Sequence, residues 1–156
     1  MGKCLVIKGA DFSENGIATL ITWAGNYPSS ILQGESGKVV SSNNLLAMIS
    51  TEVSRLDMVG KTIKYVKLNA ASAGTLIVCT TDTSSGTGSN EQSFQVAQGV
   101  NIIELTSPIY ISSNSVGVGV KGNGVVRYWS SSGSYPARGW LYAVNGLARI
   151  PIDFGW

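Results

Sequence analysis

The side chains that could do chemistry in this chain are its carboxylates and its aromatic rings, because its 156 residues include no histidine. Catalysis by Ser-His-Asp or Cys-His groups and zinc binding by histidine therefore have no residue to act through. The two cysteines, Cys4 and Cys79, are too few for a thiolate zinc site. A disulfide between them is one alternative, although their spacing does not support it, and we expect both thiols to stay free after folding in a reducing cytoplasm.

The nine carboxylates form no pattern that selects a reaction. They are Asp11, Glu14, Glu35, Glu52, Asp57, Asp82, Glu91, Glu104 and Asp153. A glycosidase needs two carboxylates about 5–9.5 Å apart; no spacing marks such a pair, although a small hydrolase built on two of them remains a third hypothesis. Oxygen ligands around Asp82 could hold calcium, but an Asp-x-Asx-x-Asx ligand spacing is missing there. We therefore predict a protein that is not an enzyme and that has no metal and no cofactor.

Aromatic residues provide the positive signal. Tyr128 and Trp129 precede the Ser/Gly-rich segment of residues 130–139, Trp140 follows it, and a second loop carries two more rings. Trp and Tyr offer a large rigid surface with a polar group, so they can stack on a sugar or anchor a protein partner. The candidate ligand-binding residues are Trp23, Tyr27, Trp129, Tyr135, Arg138 and Trp140, with Arg138 as the cation that would orient a polar ligand. Core packing is the competing interpretation, because adjacent strand residues face opposite sides and one of each pair would be buried.

The elements that must position these residues are predicted to be strands, because short apolar and β-branched runs recur between turn residues. The predicted strands are residues 4–8, 17–23, 38–41, 62–69, 75–81, 93–96, 100–105, 109–112, 116–121, 125–130, 141–144 and 147–152. Residues 44–59 fit either a helix or a strand before a short turn, and we favour a strand plus a single helical turn. The whole pattern predicts an all-β protein, an antiparallel β-sandwich of jelly-roll type with at most one or two short helical turns.

Charge, hydropathy and glycine spacing exclude several classes of partner. The net charge is +2 with 13% charged residues, and the basic residues are scattered rather than clustered as nucleic-acid binding requires. No apolar run reaches the about 18 residues of a spanning helix or the about 7–15 of a signal peptide core. The Gly-x-Gly sequences at residues 117–119 and 122–124 precede no predicted helix, so we interpret them as β-bulges and a tight hairpin rather than a phosphate loop. We expect no nucleic acid, no membrane insertion and no signal peptide.

The opening sequence KCLVIKGADFSENGI, at residues 3–17, resembles the N-terminal segment of structural proteins from phages and prophages of gut Bacteroidales. In that family an IKGADFS-NGI stretch commonly precedes a sandwich domain or a longer fibre. Residues 59–69, 98–105 and 108–111 resemble strands of the jelly-roll modules of tail and head-fibre proteins, and also strands of carbohydrate-binding modules. The resemblance implies a non-enzymatic structural or adhesion protein of the virion, in a group whose members are often trimers.

The resemblance also implies a division of roles along the chain. Residues 1–25 would form an N-terminal segment used in assembly, with Lys8, Asp11 and Phe12 as its candidate contact residues. Residues 26–156 would form the sandwich, within one compact domain overall. The expected partners are other virion proteins or copies of the same chain, with a glycan on a bacterial surface as a further ligand, and the expected location is the virion after synthesis in the host cytoplasm. A carbohydrate-binding module of a gut bacterium is the alternative.

Overall fold

The computed structural model of the chain describes residues 20–130 and 148–156 and, as strand backbone, residues 5–6, 12–13 and 141–142. Strands dominate, and every pairing between the described strands is antiparallel. In chain order the elements are β1 (Leu5–Val6), β2 (Phe12–Ser13), α1 (Ser29–Leu32), β3 (Leu46–Ala47), α2 (Ser50–Arg55), β4 (Thr62–Ala70), β5 (Gly74–Asp82), β6 (Gly88–Val96), β7 (Gly99–Tyr110), β8 (Val116–Lys121), β9 (Trp129–Ser130), β10 (Leu141–Tyr142), β11 (Ala148–Ile150) and β12 (Asp153–Gly155). The predicted all-β sandwich with two short helices is confirmed, while its jelly-roll type stays a prediction.

Two sheets supply most of the core, one in the order β12-β4-β7 and one in the order β3-β8-β5-β6. Strand β4 shows the alternation that makes this arrangement stable: Val66, Leu68 and Ala70 are buried, whereas Tyr65 and Lys67 between them are half-buried. Side chains alternate across a strand, so one face of the sheet can be apolar and the other polar. The apolar face packs into the core and the other face is left for solvent or a partner.

The second sheet presents the matching apolar face. Leu76 and Val78 of β5 and Val118 and Val120 of β8 are buried in the same cluster as the inner residues of β4. Fully burying one such side chain contributes about 1.5–3 kcal/mol. Two smaller sheets, β1-β2 and β10-β11-β9, complete the described pairings. Through Ile150, strand β11 also contributes to this core.

The ambiguous segment at residues 44–59 folds as the strand-plus-turn interpretation predicts. Strand β3 is followed, after Met48 and Ile49, by the six residues of α2, which bury Val53 in the core. Arg55 makes an ion pair with Glu52 one turn earlier on the helix. The chain then leaves the helix through Asp57, whose positive φ of 54° ends it.

Strand β7 is longer than the sequence pattern predicts. Residues 100–105 and 109–112, predicted as two strands, form one twelve-residue strand that ends at Tyr110. Its register with β4 jumps from Glu104 directly to Ile109, so Pro108 lies in a bulge outside the ladder. Proline has no N–H to donate, and a bulge is one of the few strand positions that tolerates it. Pro108, which predicts the end of a strand when only the sequence is considered, therefore lies at an irregularity within one strand.

Other strand bounds differ for related reasons. Strand β6 begins at Gly88, ahead of the predicted start at residue 93, because its first residues pair with the end of β5. The predicted strand at residues 125–130 is reduced to β9 and to a single bridge between Arg127 and Val39. Strand β12 was not predicted; its partner β4 lies far away in sequence, so no local pattern marks it.

Strands β6 and β7 are consecutive but belong to different sheets, and we call the boundary between them the β6–β7 seam. Two side-chain amides bridge it in place of strand pairing. The carboxamide of Gln92 donates to the Ser107 carbonyl (2.8 Å) and accepts from the Ser107 N–H (3.0 Å). The carboxamide of Asn101 likewise donates to the Ala97 carbonyl (2.8 Å) and accepts from the Ala97 N–H (3.2 Å). Each amide mimics a peptide group and satisfies backbone groups that the change of sheet leaves unpaired.

Glycines in β8 allow close approach rather than a bulge. The register between β8 and β5 runs without a break through Gly117 and Gly119, so the predicted bulge is absent. A Cβ added at Gly119 would lie 2.4 Å from Cγ2 of Thr81 and 2.8 Å from Cδ1 of Leu45. The buried thiol of Cys79 lies in the same layer, 3.3 Å from that Cβ position. The absence of a side chain at Gly119 is therefore what lets Leu45 cover this part of the sheet.

We predict that Gly119→Ala lowers the free energy of unfolding by about 1–3 kcal/mol, the usual cost of overpacking a core. Gly88→Ala is the matched control, because its Cβ would meet Sγ of Cys79 at 3.0 Å and Leu45 at 3.4 Å, which small shifts relieve. Urea denaturation followed by tryptophan fluorescence measures both. Equal losses for the two variants would contradict the packing argument.

Candidate functional site

The candidate site is the face of the β12-β4-β7 sheet that points away from the core, which we call the outer face. Cross-strand partners share a face of a sheet, and the register pairs Tyr65 with Glu104 and Lys67 with Ile102. These four positions alternate with buried neighbours such as Val66, so they lie on the side opposite the core. The outer face thus combines an aromatic ring, a cation, a carboxylate and an aliphatic side chain.

Trp23 covers part of this face from outside the sheet. It forms an isolated bridge with Gly155 of β12, and a Cβ added at Gly155 would lie 3.0 Å from Cε3 of the indole. The indole packs edge-on against Tyr65, with ring centroids 6.5 Å apart and planes at 63°. Nζ of Lys67 lies 5.2 Å from the indole centroid. Aromatic pairs contribute about 0.5–1.5 kcal/mol and exposed cation–π contacts about 0.5–1 kcal/mol, so Trp23 is held in a fixed orientation.

Asp153 anchors the turn that carries Trp23. Its Oδ1 accepts hydrogen bonds from the N–H of Gly25 (2.7 Å) and of Phe154 (3.0 Å), and its Oδ2 accepts from the N–H of Tyr27 (3.2 Å). The residue is only 2% exposed. Burial raises the pKa of Asp153, and the three N–H donors and Lys67 oppose that rise. One carboxylate therefore ties the 25–27 turn to β12.

Tyr27 lies beneath this turn. A Cβ added at Gly25 would overlap the Tyr27 ring at 2.1 Å, so the ring lies directly on the glycine. Burial, and secondarily the charge of Asp153, raises the pKa of the Tyr27 hydroxyl well above its usual range. Tyr27 thus packs within the turn, whereas Trp23 lies on the outer face.

The other predicted ligand-binding residues lie elsewhere or outside the described residues. Trp129 is in β9, is 8% exposed, and donates from Nε1 to the carbonyl of Ile31 at 3.1 Å. Tyr135, Arg138 and Trp140 lie outside the described part of the chain, so their role in binding stays a prediction.

The predicted assembly residues lie in the N-terminal segment. Lys8 and Asp11 are outside the described residues. Phe12 belongs to β2, which pairs with β1 through Phe12 and Val6. An assembly role for this segment stays a prediction.

Sequence reasoning missed several residues of the outer face. Tyr110 is 59% exposed and Val100 is 53% exposed, and their β4 partners, Thr62 and Asn69, are among the unburied positions of that strand. The alternation of residues in β4 indicated that Tyr65 lies on a strand face. No local pattern indicated that Val100 and Tyr110 belong to the same strand, β7. Desolvation, and then the charge of Glu104, raises the pKa of Tyr65.

A second cation–aromatic contact lies at the end of the same sheet. Nζ of Lys61, which immediately precedes β4, lies 5.3 Å from the ring centroid of Trp156, which immediately follows β12. Trp156 is only partly buried and packs against the core. The ends of two neighbouring strands are thus joined by the same type of contact that holds Trp23.

Several carboxylates of the described residues are engaged within the fold. Glu91 pairs with Lys121, and Oε1 of Glu35 accepts from the N–H and the hydroxyl of Ser130, both at 2.9 Å. These hydrogen bonds lower the pKa of Glu35. Carboxylates held this way stabilise loops and strand ends.

The carboxylate of Asp82, which the calcium hypothesis would use, already accepts hydrogen bonds from neighbouring residues. Ser84 donates from its hydroxyl (2.6 Å) and N–H (2.8 Å) to Oδ1 of Asp82, and the Ser85 hydroxyl donates to Oδ2 (3.1 Å). These bonds lower the pKa of Asp82 to about 2. Within the described ranges no group of three or more histidine, cysteine, aspartate or glutamate side chains is arranged to hold a metal ion. Among the same residues, no helix has the length and apolar character needed to cross a membrane.

Comparison with protein-family models, with curated proteins and with solved structures finds no match for this chain.

We predict that the stabilising effect of Asp153 falls as pH rises. Its pKa is raised in the folded chain, so the folded state binds the proton more tightly than the unfolded state. The resulting stabilisation is complete below the unfolded pKa of about 3.9 and is lost as pH rises through the folded pKa. The free energy of unfolding of the wild type minus that of Asp153→Asn should therefore decrease from about pH 4 upward. Urea denaturation across this range measures the difference, and a constant or rising difference would contradict the assignment.

Proposed function

We propose that the chain is a non-enzymatic structural and adhesion protein of a bacteriophage or prophage virion, acting by assembly and surface binding. The observation that carries the proposal is the outer face, where exposed Tyr110 and Val100 lie on the same face of the sheet as the fixed ring of Trp23. The resemblance of residues 3–17 to phage structural proteins supports the location on a virion.

The composition of the outer face suits docking of a protein. Interfaces are enriched in aromatic side chains and depleted in charge at their centres, and binding energy concentrates in a few Trp, Tyr and Arg residues. Trp23 is already fixed by Tyr65 and Lys67, so ordering it on binding costs little further conformational entropy. Part of the outer face is therefore already ordered before a partner binds.

Strand β7 adds a second means of docking. Within the described sheet it pairs only with β4, and on its other edge the side chains of Gln92 and Asn101 engage only some of the backbone N–H and C=O groups. The first half of the strand, from Gly99 to Ile103, carries no charged side chain. Charged side chains are a common protection against strand pairing between molecules. A second copy of the chain is the partner that this uncharged edge and its adjacent apolar side chains would fit.

We predict that the wild type self-associates and that the double variant Val100→Ser, Tyr110→Ser weakens this association. Each substitution removes an exposed apolar side chain from the outer face without disturbing the core. Light scattering or native mass spectrometry over a range of protein concentrations should show a stable oligomer, with a trimer as the expected form, for the wild type and a shift to monomer for the variant.

Gln95→Ala is the matched control for this experiment. Gln95 is exposed on β6 of the other sheet, where its side-chain amide donates to the Thr75 hydroxyl. It should assemble like the wild type. A wild type that stays monomeric at all concentrations, or a double variant that assembles unchanged, would contradict the role of the outer face.

The proposed location of the protein on the virion is tested by a separate experiment. Antibody labelling in electron microscopy should place the protein on phage particles released from the bacterium that encodes it. Finding the protein only in the cytosol of uninfected cells would overturn the virion proposal.

A further inference from the structure

A cavity of about 360 Å³ opens at the β6–β7 seam, and its lining includes none of the residues assigned above to the outer face. Its lining is contributed by three strands, β5, β6 and β7, and consists mainly of polar side chains with two apolar ones. The lining residues are Thr80, Asn90, Glu91, Gln92, Ser107, Pro108 and Ile109. Small-molecule sites typically occupy about 300–1,000 Å³, so the cavity is large enough for one or two sugar rings.

Irregularities in two strands create this cavity. The register of β6 with β5 shifts where Asn90 and Glu91 stand opposite a single residue, and β7 bulges between Glu104 and Ile109. Asn90 adopts a positive φ of 54°, which is unusual for a residue other than glycine. Bulges occur preferentially beside functional sites, where they redirect side chains. The two bulges lie on the two sides of the same cavity.

The walls of the cavity are fixed before any ligand arrives. Both ends of the Gln92 carboxamide are bonded to the backbone of Ser107, at 2.8 and 3.0 Å. Glu91 is held by its ion pair with Lys121. A site whose walls are already ordered loses less entropy on binding.

Three hydrogen-bonding side chains are left for a ligand. Within the described part of the chain, the Thr80 and Ser107 hydroxyls and the Asn90 carboxamide make no side-chain hydrogen bond to the protein. Each of these groups can both donate and accept. Pro108 and Ile109 add an apolar surface beside them. Groups that donate and accept next to an apolar surface match a sugar ring, which has hydroxyls at its rim and C–H bonds on its faces.

The charge of the cavity selects among sugars. Glu91 is the only charged residue of the lining, and Lys121 neutralises it. An anionic sugar would therefore meet a carboxylate without a free cation, and a cationic one would compete with Lys121. An uncharged ligand meets neither penalty.

We propose that this cavity binds a neutral saccharide, as the terminal unit of a glycan. The site is separate from the outer face and extends the adhesion part of the proposed function to a defined ligand class. Thr80, Asn90 and Ser107 bond the sugar hydroxyls, and Pro108 contacts the face of the ring.

The test is a titration of the ¹⁵N-labelled chain with glucose, galactose, mannose, N-acetylglucosamine and their disaccharides, followed by two-dimensional NMR. At least one of these sugars should cause saturable shifts centred on the amides of Asn90, Glu91, Gln92, Ser107 and Ile109. Glucosamine and N-acetylneuraminic acid, which carry charge, should bind more weakly. The proposal is overturned by the absence of saturable shifts at these amides for every neutral sugar, or by a preference for a charged one.

Asn90→Gly is the decisive variant, because glycine keeps the left-handed backbone while it removes the side chain that carries the carboxamide. It should weaken binding about tenfold, the scale of a lost hydrogen bond. Asn26→Gly is the matched control, an exposed asparagine with a φ of 50° outside the cavity, and its affinity should stay within about twofold of wild type. Thr80→Val, which removes one hydroxyl at nearly constant volume, provides a second test if Asn90→Gly loses its dispersed spectrum. Unchanged affinity in a folded cavity variant would overturn the assignment.

The saccharide site and the proposed assembly role can fail independently. The Val100→Ser, Tyr110→Ser variant should still bind the sugar, and Asn90→Gly should still self-associate. Loss of sugar binding in the outer-face variant would contradict the separation of the two sites.

Discussion

The change of sheet between β6 and β7 is the constraint on which both proposed sites depend. Only two residues connect Val96 to Gly99, and Gly99 adopts a φ of 100° that other residues avoid. The two strands nevertheless belong to different sheets, and each is an edge of its own sheet. Gln92 and Asn101 satisfy backbone groups across the gap. The cavity is the part of the gap that these amides leave open, and β7 forms an edge beside the outer face because that strand has no further neighbour among the described strands.

The opposite edge of the same sheet is closed by a different device. Trp23 and its neighbours pair with the end of the chain, where the N–H of Thr22 donates to the Trp156 carbonyl and the N–H of Trp156 donates back. The buried carboxylate of Asp153 holds the next turn in place. One edge is thus covered by a segment distant in sequence, whereas no further strand among the described residues pairs with β7. Within that part of the chain, the two edges of the sheet are therefore covered unequally.

The sequence predicted the strands whose stability is local. Residues 62–69, 75–81 and 116–121 match β4, β5 and β8 closely, because alternating or β-branched runs there reflect burial of one or both faces. Strand β12 was missed because its pairing partner is distant and its first residue, Asp153, is a carboxylate that is buried only through donors from the 25–27 turn. The prediction of two strands in place of β7 shows the same limit.

The candidate sites divide in a similar way. Trp23 was identified from residue type alone, but its place on the outer face depends on a bridge to Gly155 that no local pattern encodes. Asn90 gave no signal at all, because its role comes from a bulge in one strand meeting a bulge in another. The chemistry of a candidate residue can be predicted from the sequence, whereas its neighbours from distant strands depend on the topology of the fold.

The layer above β5 also determines how Cys79 responds to oxidants. Cys79 is fully buried beneath Leu45, close to Gly88 and Gly119, and burial raises the pKa of its thiol. Only the thiolate reacts readily with alkylating agents and peroxide, so this sulfur is shielded both by access and by protonation. Its rate of modification therefore reports how often that side of the sandwich opens, and the folded domain can pass from a reducing cell interior to an oxidising exterior without chemical change at this position.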